Sequence, residues 1–245
     1  MRESMQRLLT ATAVVLVLAC TPAAAATILL NDPSGLSAEV EFSLVNPTTL
    51  EVRTKNTSTG APSGFAAADQ ILTSVSWDFS GSTSITGGSV KTGPTSGSVN
   101  FSVANVGANA DVSGEYGFGN GGTTGLFANF ISGNTAGATS FGGTNLDGPA
   151  GLNGPQGGLI ASPAVVSLGG LGAIQNEWIA TLTLASPLAN LDFLDSGIIA
   201  EYGSDAAFLP GDPDGGIIPE PATTTLVVVG CAAMFMVRRL RRRRE

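Results

Sequence analysis

Residues 38–56, AEVEFSLVNPTTLEVRTKN, decide the fold class. Val40, Phe42 and Leu44 alternate with Glu39, Glu41 and Ser43. After Asn46-Pro47-Thr48-Thr49, Leu50, Val52 and Thr54 alternate with Glu51, Arg53 and Lys55. A period of two puts apolar side chains on one face and charged ones on the other. That is a half-buried strand on each side of a turn, hence a hairpin. The same alternation recurs in TSVSWDFS (Val75, Trp77, Phe79), SVNFSVA (Val99, Phe101, Val103) and EWIATLTLA (Trp178, Ala180, Leu182, Leu184). PAVVSLGG at 163–170 and ANLDFLDSGIIAEYG at 189–203 predict two further strands. Away from the termini no long segment carries a helical apolar stripe. Short strands separated by Gly, Ser, Thr and Pro predict a mainly β, antiparallel sandwich-like domain.

The ends of the chain obey other rules. Arg2 and Arg7 precede an apolar core from Leu8 to Ala19, then small residues and the site Ala24-Ala25-Ala26. This is the three-part pattern of a secretory signal peptide over 1–26, with Ala24 and Ala26 as the cleavage-site residues. The apolar core is short beside the ~20 residues of a membrane helix. Cys20, in VLAC, also fits an acylated lipoprotein terminus, although Leu18 stands where a small residue is usual.

The opposite end reads IIPEPATTTLVVVGCAAMFMVRRLRRRRE. Pro219-Glu220-Pro221 cannot belong to a helix that follows it and sets an extended entry. Residues 222–237 then form an apolar helix of ~24 Å, marginal against a ~30 Å hydrocarbon core. Arg238, Arg239, Arg241, Arg242, Arg243 and Arg244 place the tail in the cytoplasm and the body outside, the topology the signal peptide also requires. With a spacer over 206–218, the domain spans 27–205.

Between Thr27 and Ile218 only Arg53, Lys55 and Lys91 oppose 16 acidic residues, a net charge of −13. Such a body repels nucleic acid and anionic lipid. The chain has no His, and its two cysteines, Cys20 and Cys231, lie in the terminal apolar segments. The body therefore has no disulfide, no Cys/His metal site and no Ser-His-Asp or Cys-His triad. No cofactor is expected.

Other candidates are weighed against plain structural roles. Residues 107–158 hold 16 glycines in 52 positions, punctuated by Tyr116, Phe118, Phe127, Phe130, Ile131 and Phe141. A free linker rarely spends so many large apolar groups, so loops packed by these side chains are expected. Asp192/Asp195 and Glu115/Asp147 are the kind of pairs a glycosidase needs, but scattered acids are ordinary on exported domains. Asp212-Pro213-Asp214-Gly215 has a trace of a calcium loop without its full spacing. Trp77 and Trp178 fall on the apolar phase of their strands and read as core. Tyr116 is the candidate sugar-stacking platform. Asn56-Thr57-Ser58 matches a glycosylation sequon, read here as chance.

In order, the Pro-Glu-Pro triplet, short helix and arginine cluster of residues 219–245 resemble the PEP-CTERM sorting signal of Gram-negative bacteria. The body is more weakly similar to exosortase-dependent surface proteins, through LEVRTKNTST, VSWDFSG, GEYGFGNGG and NLDGPAGLNGPQGGLI. The resemblance implies an exosortase as partner. It also implies removal of the tail near the motif and residence at the cell surface or in an exopolysaccharide matrix. A structural or adhesive, non-catalytic role is the leading expectation. A carbohydrate-binding module comes next, and a calcium-dependent hydrolase last.

Overall fold

The computed structural model describes residues 24–99, 106–121, 125–133, 139–140, 158–168, 172–211 and 218–219. All lie within one compact unit, Ala24–Pro219. The signal segment, the C-terminal helix and the arginine cluster lie outside the described residues.

The expected hairpin is present and forms the middle of the first sheet. Strands β1 (Ala25–Asn31), β2 (Ser37–Asn46) and β3 (Thr49–Asn56) run antiparallel. They continue into β12 (Glu177–Leu184) and β5 (Ile85–Thr92). A two-residue strand, β15 (Ile218–Pro219), pairs with β1 at the other edge. The inner face is apolar at Ile28, Leu30, Val40, Phe42, Leu50, Val52, Ala180 and Leu182, all fully enclosed. The outer face carries the alternate charged residues, as a period of two requires.

The second sheet is built around β4 (Leu72–Trp77). It is flanked by β13 (Ile198–Tyr202) on one side and β8 (Asn129–Ser132) on the other. Beyond β13 lies β14 (Ala207–Gly211). Beyond β8 lie β7 (Gly117–Asn120) and β9 (Thr139–Ser140). At one end of β4, β10 (Leu159–Ile160) pairs with it and leads to β11 (Ala173–Gln175) and β6 (Ser98–Val99). Only the β10–β11 pairing is parallel among the described ladders. Thr73 is the extra residue of a bulge, because Leu72 faces Tyr202 while Ser74 faces Glu201. Its hydroxyl bonds the Gly203 carbonyl at 2.7 Å. The bulge resets the phase so that Leu72, Val75 and Trp77 all reach the core.

The two sheets meet face to face as a β-sandwich, and they also approach at both edges, β1 beside β14 and β5 beside β7. Along β5 side chains and the backbone of residues 110–112 stand in for a missing strand, the Thr92 N–H donating to the Ala110 carbonyl and the Val112 N–H to the Val90 carbonyl, both at 2.9 Å. The Asn120 amide accepts from the Ile85 N–H at 2.8 Å and donates to the Ile85 carbonyl at 2.9 Å. The Ser113 hydroxyl accepts from the Val90 N–H at 2.9 Å. An exposed strand edge with unmet N–H and C=O groups invites aggregation, and these groups close it.

Three expectations are corrected. The spacer predicted from 206 begins later, because Ala207–Gly211 is β14, with Leu209 buried against the core. Its composition of Gly, Pro and Asp hid the inward Leu209 and Gly211 in a short edge strand. The strand predicted at 163–170 does not form over its described part. Gln70, fully buried, takes both backbone groups of Val166, donating to its carbonyl at 2.6 Å and accepting from its N–H at 3.2 Å. Part of the glycine-rich region is sheet rather than loop. It supplies β7, β8 and β9, with Phe130 and Ile131 buried and Phe118 packed on the core.

Both tyrosines of the chain are buried. Burial pushes the Tyr116 hydroxyl well above the ordinary phenol value, with the Glu115 charge adding to it. Burial likewise raises Tyr202, with Asp32 adding and the Ser58 hydrogen bond opposing. A raised phenol pKa favours the neutral folded form. The contribution of these two groups to stability should therefore be constant below the unfolded value near ~10 and then fall as pH rises, by ~2.7 kcal/mol per pH unit for the pair. Tyrosinate absorbance should appear only together with alkaline unfolding. A tyrosine titrating near ~10 in folded protein would contradict the burial.

Candidate functional site

Two places on the domain are candidates for function, and they lie at opposite ends of the first sheet. One is the edge where the chain enters and leaves the folded unit. The Ala24 carbonyl accepts from the Leu44 N–H at 2.8 Å. Ala26, 7 % exposed, stands directly opposite Pro219, and Thr27 opposite Ile218. Ala24 and Ala26, the expected cleavage-site residues, and Pro219, the first residue of the Pro-Glu-Pro triplet, thus share one sheet edge. Proline has no N–H to give a ladder and is tolerated at an edge. Glu220 and Pro221 lie outside the described residues.

The other place is the far end of the same strands. β1 carries the chain roughly 20 Å from Ala25 to Asn31 at ~3.3 Å per residue. There Asn31 pairs with Ser37, and the Ser37 N–H donates to the Ser58 hydroxyl at 3.0 Å. Asn56, at the end of β3, is the knot of this pole. Its amide donates to the carbonyls of Leu159 at 2.9 Å and Gln70 at 3.2 Å. Its oxygen accepts from the Ser58 N–H at 3.1 Å. The Tyr202 hydroxyl donates to the Ser37 carbonyl at 2.7 Å and stands 3.1 Å from the Ser58 hydroxyl. Asn56 is 2 % exposed with its amide committed, so the sequon is closed to modification in the folded domain.

Over this knot opens a groove of about 560 Å³. One wall is the 57–59 turn, the other the 161–165 segment, and Asn176 closes it between β11 and β12. Among the described residues no charged side chain lines it. Thr57, Thr59, Ser162 and Asn176 supply hydroxyls and an amide, and Pro163 and Val165 supply aliphatic surface. The walls are braced from behind by the Gln70 clamp on Val166 and by Gln175, which donates to the Ser162 hydroxyl at 2.6 Å. Asn176 holds a left-handed backbone, φ 78°, which an asparagine tolerates better than most residues.

Of the other sequence candidates, Trp77 and Trp178 are both fully buried core residues. Tyr116 is corrected: it is 2 % exposed and packs on Trp178 with ring centroids 5.5 Å apart, so it offers no face to a sugar. Its neighbours in sequence are Glu115 and Gly117, within a glycine-rich run, which concealed that it points inward. Asp192 and Asp195 lie on a short 3₁₀ turn, Asp192–Ser196, with both side chains exposed. Glu115 is buried in the turn Ser113–Glu115. Asp147 and Asp212-Pro213-Asp214-Gly215 lie outside the described residues. Among the described residues no three acidic, Cys or His side chains gather to hold a metal, and no helix is long and apolar enough to cross a membrane.

The groove was missed in the sequence because its walls come from segments about 100 residues apart. Their only local marks are the polar run after β3 and the Ser162-Pro163 break. Comparison with known proteins adds no relative to this geometry: no protein-family model, no curated protein and no solved structure matches the chain.

Proposed function

We propose that the chain is an exported protein sorted by an exosortase to the cell surface or extracellular matrix. There its β-sandwich serves as a structural or adhesive, non-catalytic component of an exopolysaccharide-associated layer. The observation that carries the proposal is the ending itself: Pro219-Glu220-Pro221, the apolar segment 222–237 and six arginines, paired with an N-terminal signal of matching topology. The compact unit spans Ala24–Pro219. The expected signal cleavage after Ala26 falls near the start of β1, where Ala26 belongs to the core, and the Pro-Glu-Pro motif begins at the last residue of the unit. Their adjacency at one edge suits a domain held to the membrane by its tail while the signal peptide is removed. In this reading the arginines orient, the helix retains, and Pro-Glu-Pro marks the processing region.

Deleting the host's exosortase tests the proposal. The expected result is a full-length, membrane-retained form. Unchanged processing and release would overturn the sorting reading. A carbohydrate-binding role is the second reading, and the uncharged groove at the far pole is the observation that favours it.

A further inference from the structure

We infer that the groove between the 57–59 turn and the 161–165 segment is a binding site for an uncharged glycan segment. The body carries a net charge of −13, yet among the described residues no acid or base lines the groove. An ionic ligand would find no counter-charge there, and a polyanion would be repelled by the whole domain. The lining pairs aliphatic surface, Pro163 and Val165, with hydroxyl and amide groups at Thr57, Thr59, Ser162 and Asn176. A pyranose ring has the matching character, with C–H faces and a rim of hydroxyls that both donate and accept. A peptide fits less well, since Val165 is the largest apolar side chain lining the groove and no aromatic side chain is among the described lining residues to hold an anchor.

The hydrogen-bonding capacity is available. Neither the Thr59 hydroxyl nor the Asn176 side-chain amide takes part in any of the described internal hydrogen bonds, and neither is buried. Ser162 accepts from Gln175 and keeps its own proton to donate. The walls are already braced by Gln70 and Gln175, so binding freezes few additional rotors. The volume lies in the usual range for small-ligand sites, roughly 300–1,000 Å³. The ligand class stands on the groove alone. It does not rest on the sorting reading.

The test uses the full chain in a detergent without sugar groups, applied to an array of neutral and anionic oligosaccharides. Binding to at least one neutral glycan is expected. Asn176→Asp, near-isosteric but charged, and Thr59→Val, which removes one hydroxyl, should each weaken it about five- to tenfold, in line with one lost hydrogen bond. Thr183→Ala, exposed at the other end of β12, should leave it unchanged. Thermal melts confirm that the variants fold, and Thr59→Val carries the test if Asn176→Asp does not. No neutral glycan bound, binding to anionic glycans only, or affinity unmoved by the folded variants would overturn the inference. None of these outcomes depends on whether the tail is processed.

Discussion

Replacing Trp77 by alanine is expected to lower the unfolding free energy by about 3–5 kcal/mol, the usual cost of emptying a large aromatic site in a closed core. Trp77 is fully buried at the centre of an aromatic cluster. It meets Phe42 edge-on with centroids 5.2 Å apart and Phe79 at 5.9 Å. Phe193 joins through contacts with both of those rings. Phe42 comes from the first sheet and Trp77 from the second, so this cluster ties the two faces together. The indole N–H is buried without a hydrogen-bond partner, which offsets part of what its burial contributes. Trp77→Phe should therefore cost less than half as much as Trp77→Ala, since it deletes a ring and an unmet donor together. Denaturant midpoints at constant m value would measure both. A loss below ~1 kcal/mol for Trp77→Ala would mean that the sheets do not pack through this cluster.

Arg53→Ala should destabilise by about 2–4 kcal/mol, more than a surface charge normally does. The Arg53 guanidinium contacts Glu177 Oε2 through Nε at 2.8 Å and Nη2 at 2.6 Å, and the Glu177 side chain is only 1 % exposed. The cover is the turn after β5. The Gly93 N–H and the Ser96 hydroxyl both donate to the Glu177 carbonyl at 3.1 Å, and the Thr95 hydroxyl stands 3.5 Å from Oε1. Gly93 lies so close that any Cβ there would overlap the Glu177 side chain. Removing Arg53 leaves an enclosed carboxylate with one long hydroxyl contact. Removing both charges, Arg53→Met with Glu177→Gln, should return the protein to within ~1 kcal/mol of the parent. Arg53→Lys should recover only part of the loss, because a single ammonium cannot place two donors in the guanidinium geometry. Equal losses for the single and double variants would show that packing rather than charge governs the site.

Much of the sandwich was legible because burial on one face leaves a period-two record. β2, β3 and β12 carry it over eight or more residues, and their inward positions were read one by one. β4 was found, although its bulge at Thr73 breaks the phase. Elements held by side chains rather than by pattern were not legible. The 163–168 segment has strand composition, but a distant glutamine satisfies its backbone. β14 hides one buried leucine among residues typical of a spacer. Tyr116 looks like a loop aromatic because the turn carrying it inward is local and glycine-flanked. The groove was invisible for a related reason: no residue lining it is chemically unusual, and only the meeting of β3, β10 and β12 brings them together. By contrast, the sorting proposal rests on consecutive segments, Pro219-Glu220-Pro221, 222–237 and the arginines, each read by composition alone.

Intact-mass analysis of the mature protein purified from its native host tests the central claim most directly. A chain beginning at Thr27 and ending near Pro219-Glu220-Pro221, without the arginine tail, is the predicted result, with any attached lipid or glycan read from the excess mass. A mass that retains residues 222–245 would contradict the account.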